Sequence, residues 1–409
     1  MIQITDKEKC CGCTACANIC PKKCITMQAD EEGFLYPVVE SESCIHCNLC
    51  EKVCPVVHNA NRSSIEKAFI VRNKNEEIVH TSSSGGFFAA LCAYVIEKKG
   101  VVFGAGFGSD WEVRHCRANS IDECKSFQGS KYVQSNMEGV FPSIKKLLNE
   151  GVLVCFSGTP CQTEGLVNFL GEMYDNLILV DLVCHGVPSP KLWRLYLALM
   201  TKRYTSKIKD VNFRSKKYGY QSSAMSLKFE NGTEYCGSAR VDIMLKSFFS
   251  HISLRPICYS CPFKGERRVA DFTIYDCWHA ASILAIKDDD MGYTSVLVRN
   301  ANALRIITAL EKYLDIYEKP IAKILPINGG MLNKSATPNI NRKHFYEEID
   351  FVGLQNTFDK YLFVSKKDYA IEKIKAVISK TGILYRLARM KKLAKKMIEK
   401  SKQSSRGNT

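Results

Sequence analysis

The chain has 409 residues, a formal net charge of +15, and a composition of 46% hydrophobic and 24% charged residues. That length exceeds one ordinary core and predicts two or three domains, and the balance of residue types is that of a globular protein and not of a disordered or fibrous one. No run approaches a membrane span, because the best candidate, NLILVDLVCHGV, is broken by Asp181 and His185.

MIQITDKEKCCGC, at the N-terminus, has no basic region followed by an apolar one, so no secretory leader is expected and the cytoplasm is the expected location. Twenty cysteines are too sparse for a disulfide scaffold of this size and point to metal or cluster ligation. CCGCTACANICP and CIHCNLCEKVCP each contain Cys-x2-Cys-x2-Cys-x3-Cys-Pro. This is the bacterial two-cluster ferredoxin run, in which the fourth cysteine of each motif crosses to the other cluster. Cys10, Cys13, Cys16 and Cys54 are therefore expected around one 4Fe-4S cluster, and Cys44, Cys47, Cys50 and Cys20 around a second. Pro21 and Pro55 turn the chain away after each fourth ligand. A zinc ribbon would show two Cys pairs in place of two runs of four. Cys11 and Cys24 are left over, as packing residues.

After the polar linker HNANRSS, AFIVRN reads as a strand and TSSSGGFFAALCAYVIEKKG as a helix capped by its serines. GVVFGAGFG has glycines at 104, 106 and 108 but is followed by a second strand pattern, DWEVRHCRA, so a dinucleotide fingerprint is rejected for want of the helix N-terminus. GVLVCFSG, a loop TPCQ and the helix TEGLVNFLG are followed by NLILVDLV, the loop CHGVPSP and the helix KLWRLYLALM. Apolar strands alternating with helices predict a parallel sheet, and Cys161 and Cys184 then fall at the carboxyl ends where such sheets place ligands. AMSLKFENGTEYC is a hairpin turning at Asn231-Gly232. ADFTIYDCW and YTSVLVRN are strands, ALRIITALEKYL is a helix, and residues 346 to 409 read as helical and peripheral.

Several segments, SSSGGFFAAL (82–91), QGSKYVQS (128–135), FSGTPCQ (156–162), LVCHGVPSP (182–190), CYSCPF (258–263) and ADFTIYDCW (270–278), together resemble the beta subunits of coenzyme F420 hydrogenases and dehydrogenases, with a ferredoxin module fused in front. The resemblance covers roughly residues 65 to 310. It implies FAD and a 4Fe-4S cluster, electron exchange with a deazaflavin or another organic substrate, and, for bacterial relatives, a surface-polysaccharide setting.

Four thiolates are what a cubane needs, and Cys161, Cys184, Cys258 and Cys261 combine two sheet-edge cysteines with one Cys-x2-Cys loop. They are expected to hold a third cluster; Cys277 competes for one place, and a zinc half-site at Cys258 and Cys261 is the alternative. Ser82 to Gly86 (with Ser83, Ser84, Gly85 and Gly86 as the ligand-facing set) read equally as an ordinary N-cap and as a pyrophosphate site, and the resemblance implies FAD there. Lys131 is expected near a phosphate or the flavin ring, and Ser157, Gly158 and Thr159 form a second phosphate-accepting loop or simply the turn that presents Cys161. His185 and Asp276 are the candidate catalytic groups, with Asp271 a further lone carboxylate.

Between Lys380 and Arg406 ten Lys and Arg stand against Glu399 alone. Ile383, Leu387, Met390, Ala394 and Met397 share a helical face there, which suits peripheral contact with the inner membrane surface, an acidic partner or a solvated terminus. Nucleic acid is not an expected partner. The expected fold is an α+β two-cluster ferredoxin module (1–60), an α/β flavin-binding region with a partly parallel sheet (61–150 and 151–345), and a basic helical C-terminal tail (346–409). The expected function is an iron-sulfur flavoprotein oxidoreductase served by a redox donor or acceptor protein. Its rival is a non-enzymatic electron-transfer adaptor whose second cysteine set binds zinc.

Overall fold

A computed structural model describes residues 1–222, 224–328 and 330–379. Its strands are β1 (Ile25–Ala29), β2 (Leu35–Val39), β3 (Lys67–Asn73), β4 (Val101–Phe107), β5 (Val113–Ala118), β6 (Val154–Gly158), β7 (Leu177–Leu182), β8 (Ile208–Ser215), β9 (Ala224–Phe229), β10 (Glu234–Ser238), β11 (Phe272–Asp276), β12 (Thr294–Val298) and β13 (Leu314–Lys319). β1 and β2 form the antiparallel hairpin of the N-terminal module, with Ile25 opposite Val39. Each cysteine run turns through a left-handed residue, Thr14 at φ 68° and Asn48 at φ 57°, into a single helical turn. That reversal curls three thiols of each run toward one centre.

Eight strands make the main sheet in the order β13-β3-β12-β11-β7-β6-β4-β5. β4, β6, β7 and β11 are parallel neighbours, while β5, β12 and β13 run the other way. β3 is antiparallel to β12 and so points with the parallel four. The carboxyl ends of five strands therefore open on one edge. β6 and β12 are buried along their whole length, as expected of strands covered on both faces. One face packs Phe69, Phe87, Leu91, Val180 and Phe272 under the helix Phe87–Glu97, and the other packs Phe103, Phe141, Phe156 and Leu166 under the helices Val140–Asn149 and Pro160–Leu170. Each fully buried ring of this kind contributes about 1.5–3 kcal/mol.

The sequence reading and the structure differ in three places. The serines at 82–84 do not cap the helix Phe87–Glu97; its first turn is preceded by Gly86 at φ 81°, with no side-chain cap, because the serine hydroxyls are engaged elsewhere. TPCQ is not a loop: Thr159 and Gln162 form a reciprocal capping box, and Pro160 and Cys161 are the first residues of the helix Pro160–Leu170. Residues 346 to 361 are not peripheral, since Tyr346, Ile349, Leu354 and Phe358 are buried with Phe34, Trp193, Phe213 and Leu227 in the core beside the second sheet, β10-β9-β8.

The ferredoxin module is not a loose bead. Cys11, Cys13, Ala15 and Val53 share a core with the helix Pro160–Leu170, and Phe34 and Tyr36 share the other with the second sheet. The linker is tied down as well, because Arg62 and the Ala60 amide both donate to buried Glu164. Among the described residues no helix is long and apolar enough to cross a membrane. The basic segment from Lys380 onward, with its proposed membrane contact, lies outside the described residues.

Candidate functional site

Cys10, Cys13, Cys16 and Cys54 are all buried; burial pushes the Cys16 thiol up to about 12, and charge on Cys10 and Cys54 pushes it further the same way. Cys20, Cys44, Cys47 and Cys50 line one small cavity of about 20 Å³, with Cys24 held 3.4 Å from Cys20. The crossed ligand sets that the repeat predicts thus lie in two groups, one buried and one lining this cavity. Cys47 is exposed, so the second set lies at the surface.

Cys161, Cys184, Cys258 and Cys261 come together although they lie on separate elements. Cys184 follows β7, Cys161 opens the helix after β6, and Cys258 sits in the tight turn Pro256–Ser260. Burial pushes the Cys184 thiol up to about 12, and charge on Cys161 and Cys261 pushes the same way. Cys258 is raised first by burial and then by Cys184, Cys161 and Cys261, and Cys261 by burial and then Cys161. Thiols held this high are neutral unless a metal takes the proton's place, and a coordinating metal deprotonates them outright. Gly186, at φ 138°, brings the chain after Cys184 against Cys258, where a Cβ would stand 3.3 Å from the Cys258 Cβ. Lys264 Nζ donates to the Cys184 carbonyl at 2.6 Å and to the Met331 carbonyl at 2.7 Å. Cys277 is elsewhere, packed with Ala68, Ile70 and Leu297 beside Ser295. Cys11 is the closer neighbour, in thiol contact with Cys161. Among the described residues no three His, Cys, Asp or Glu side chains converge on a single ion; a cubane spreads its thiolates around a cluster of four metals.

The shared sheet edge opens into a cavity of about 650 Å³. Its wall runs from Ser82, Ser83, Ser84 and Gly86 after β3, through Ser130 and Lys131, to Ser157, Gly158 and Thr159 after β6, Cys184 and His185 after β7, and Asp276 at the end of β11. Gly85 does not line it. A Cβ there would stand 2.5 Å from the Val71 carbonyl oxygen and 2.7 Å from the Thr294 amide, so this glycine serves backbone packing. The serines are fixed from behind: the Ser130 amide donates to Ser83 Oγ at 2.8 Å, and Ser84 Oγ and Thr294 Oγ1 share a hydrogen bond. Lys131 Nζ donates to the Ser126 and Gln128 carbonyls and lies 5.7 Å from the centre of the Phe107 ring. Burial lowers its pKa to about 7, and no carboxylate pairs with it among the described residues. A buried cation satisfied only by carbonyls suits an anionic group in the cavity.

His115 explains how the second loop is held. Burial lowers its pKa to about 4, so the ring is neutral; it donates from Nε2 to the Ser157 carbonyl and accepts at Nδ1 from Ser135. Ser135 in turn accepts from Gln162, whose amide oxygen takes the Thr159 N–H. Asp276 accepts from Arg214 and from the Tyr220 hydroxyl, with Tyr220 and Trp278 over the guanidinium. Arg214 Nη2 and His185 Nε2 are buried and make no hydrogen bond among the described residues. The Tyr132 hydroxyl stands close enough to feel the Arg214 charge, without satisfying that nitrogen. Asp271 lies at the other end of β11, accepting from the Leu179 amide and Asn300, and is structural.

Residues 152–323 match the family described as the C terminus of the coenzyme F420 hydrogenase/dehydrogenase beta subunit, and residues 9–57 match the 4Fe-4S dicluster domain. The chain thus carries the C-terminal region of that beta-subunit family behind a 4Fe-4S dicluster domain. It is an iron-sulfur oxidoreductase of that beta-subunit type. No curated protein matches it. Among solved structures, a chain of the F420-reducing NiFe hydrogenase complex from Methanosarcina barkeri is 17% identical, with 73% of this chain and 92% of that chain covered and a TM-score of 0.43, too low to establish a shared fold. The motifs at 82–91 and 128–135 fall outside both matched ranges, yet they line the same cavity as the matched loops. The sequence reading missed His115, Arg214, Tyr220 and Trp278. Two residues had a signal, Tyr132 beside Lys131 in QGSKYVQS and Trp278 at the end of ADFTIYDCW.

Proposed function

We propose that the chain carries single electrons from a partner protein through its ferredoxin cysteines to Cys161, Cys184, Cys258 and Cys261, and from there to FAD in the adjoining cavity, which exchanges a hydride with an organic substrate or deazaflavin. The observation that supports this most is that Cys184 belongs both to the converging cysteine set and to the cavity wall. Clusters move electrons one at a time, and a flavin converts them to hydride chemistry.

This chain's own residues supply the rest. Exposed Cys47 marks the face where a donor would dock. Gly165 allows close approach between modules: a Cβ there would lie 2.9 Å from Cys13 Sγ, so the helix bearing Cys161 rests directly on the ferredoxin run. Ser83, Ser84, Gly86, Ser157, Gly158 and Thr159 offer hydroxyls and amides for phosphates, and Lys131 offers the charge. His185, beside Cys184, brings a buried ring nitrogen without a hydrogen-bond partner among the described residues to the cavity lining, where it would be available to a bound flavin or substrate, and Asp276, held by Arg214 and Tyr220, lines the same cavity.

Anaerobic purification with iron, sulfide, zinc and flavin counted per chain tests the reading. About twelve irons and one FAD are expected from three cubanes and one flavin. About eight irons with one zinc would remove the third cluster and favour the adaptor, and absent flavin would remove the hydride step.

A further inference from the structure

Arg255 is fully buried, at 0% exposure, yet no carboxylate pairs with it among the described residues. Its Nε donates to the Cys10 carbonyl at 2.7 Å, and its Nη2 reaches Cys10 Sγ at 3.4 Å and the Leu35 carbonyl at 2.9 Å. Nη1 donates to Gln134 Oε1 at 2.9 Å. The rings of Tyr36 and Phe34 cover the guanidinium, with centroids 4.2 and 5.4 Å away. Meanwhile the Arg255 backbone opens the turn that delivers Cys258: its amide donates to the Val187 carbonyl, and its own carbonyl accepts from the Cys258 amide. One residue thus grips the first ferredoxin ligand with its side chain and places a ligand of the second cysteine set with its backbone.

A buried cation costs several kcal/mol to desolvate unless an anion answers it. Cys10 is the residue whose sulfur is hydrogen-bonded to the guanidinium, and it becomes an anion when it ligates metal; the Tyr36 hydroxyl and the Cys11 and Cys258 thiols lie near enough to act on the same charge without such a bond. The sequence leaves room for this contact at Gly12, inside the first motif: a Cβ there would stand 2.8 Å from Arg255 Nη1 and 2.6 Å from Gln134 Nε2. Reduction adds one electron, and so one negative charge, to a cluster. Hydrogen bonds to its sulfurs and nearby positive charge favour the reduced form.

We propose that Arg255 is a positioning residue that raises the reduction potential of the cluster held by Cys10, Cys13, Cys16 and Cys54 above that of the cluster held by Cys20, Cys44, Cys47 and Cys50, so that an electron entering on the exposed side settles beside Cys161. This rests on the ligand sets assigned above. Among the described residues no cationic side chain hydrogen-bonds a thiol of the second set; the Met1 amino group, which bonds Asn48 and Glu51, and Lys22 line its cavity, and the neutral Ile2 amide donates to Cys50 Sγ at 3.3 Å.

The test is a redox titration followed by electron paramagnetic resonance on the anaerobically purified full chain, in the wild type, Arg255→Lys and Arg255→Gln, with iron counted in each. In Arg255→Gln one ferredoxin cluster should shift at least tenfold toward its oxidised form at fixed ambient potential, about 59 mV for a one-electron couple. The other ferredoxin cluster should not move, and Arg255→Lys should recover part of the shift. Full iron with unmoved potentials, or an equal shift of both ferredoxin clusters, would overturn the proposal. If Arg255→Gln loses the cluster at Cys10, the potential of Arg255→Lys decides. A wild type with only about eight irons would count against the third cluster alone, leaving the potential at Cys10 as a separate result.

Discussion

The ferredoxin module carries its eight motif cysteines in two short runs of identical spacing, each bent by two left-handed residues, Gly12 and Thr14 in the first and His46 and Asn48 in the second, so local geometry places the thiols. The second set is built on the opposite plan: Cys161, Cys184, Cys258 and Cys261 come from two strand ends and a distant turn, and only the sheet brings them together. A locally specified site tolerates injury to the rest of the molecule. A site assembled by tertiary structure fails with its scaffold, and it can sit where a local motif could not, against a cavity wall.

Damage to the sheet should separate the two plans most sharply. Asp181, fully buried on β7, faces Arg268 at 3.2 Å and accepts from the Thr273 hydroxyl. Arg268→Met leaves that carboxylate uncompensated and should cost about 3–5 kcal/mol in chemical denaturation. Iron should be lost from the second set first; simultaneous loss from both sets would mean that the ferredoxin module depends on the sheet. A smaller effect is expected at the seam between the two regions. Gly12→Ala, at φ 69° and pressed against Gln134 and Arg255, should lower stability by about 1–3 kcal/mol in thermal unfolding.

Within the cavity, Lys131→Met should weaken FAD binding about tenfold, near 1.4 kcal/mol, in equilibrium dialysis. Because burial holds the Lys131 pKa at about 7, the amine is charged below that pH and neutral above it. FAD should therefore bind more tightly at pH 6 than at pH 8, and the variant should lose that slope. Equal pH dependence in both proteins would remove Lys131 from the phosphate contact. The smallest effect belongs to Cys277→Ala, which should leave the iron count unchanged; a loss of iron would restore Cys277 as a ligand.

Legibility followed the same division. The 4Fe-4S dicluster module could be read directly from its two cysteine runs, because their spacing is their geometry. The parallel strands and the position of Cys161 and Cys184 at their ends were also readable, since apolar strands alternating with helices leave few arrangements. Sequence could not show that Ser83 and Ser84 bond Ser130 and Thr294 instead of the helix end, because those partners lie on other segments. Nor could it foresee His115 or Arg214, lone residues in strands whose role arises from packing across the sheet edge. Cys11 looked like a spare beside the motif, and its contact with Cys161 depends on a docking that no spacing encodes.

Iron and acid-labile sulfide, counted in the anaerobically purified wild type and in a Cys258→Ser, Cys261→Ser double variant, test the assembled third cluster most directly. The wild type should hold about twelve irons and the variant about eight, with the two ferredoxin signals retained in electron paramagnetic resonance. An iron count that does not change between the two proteins would contradict the assignment.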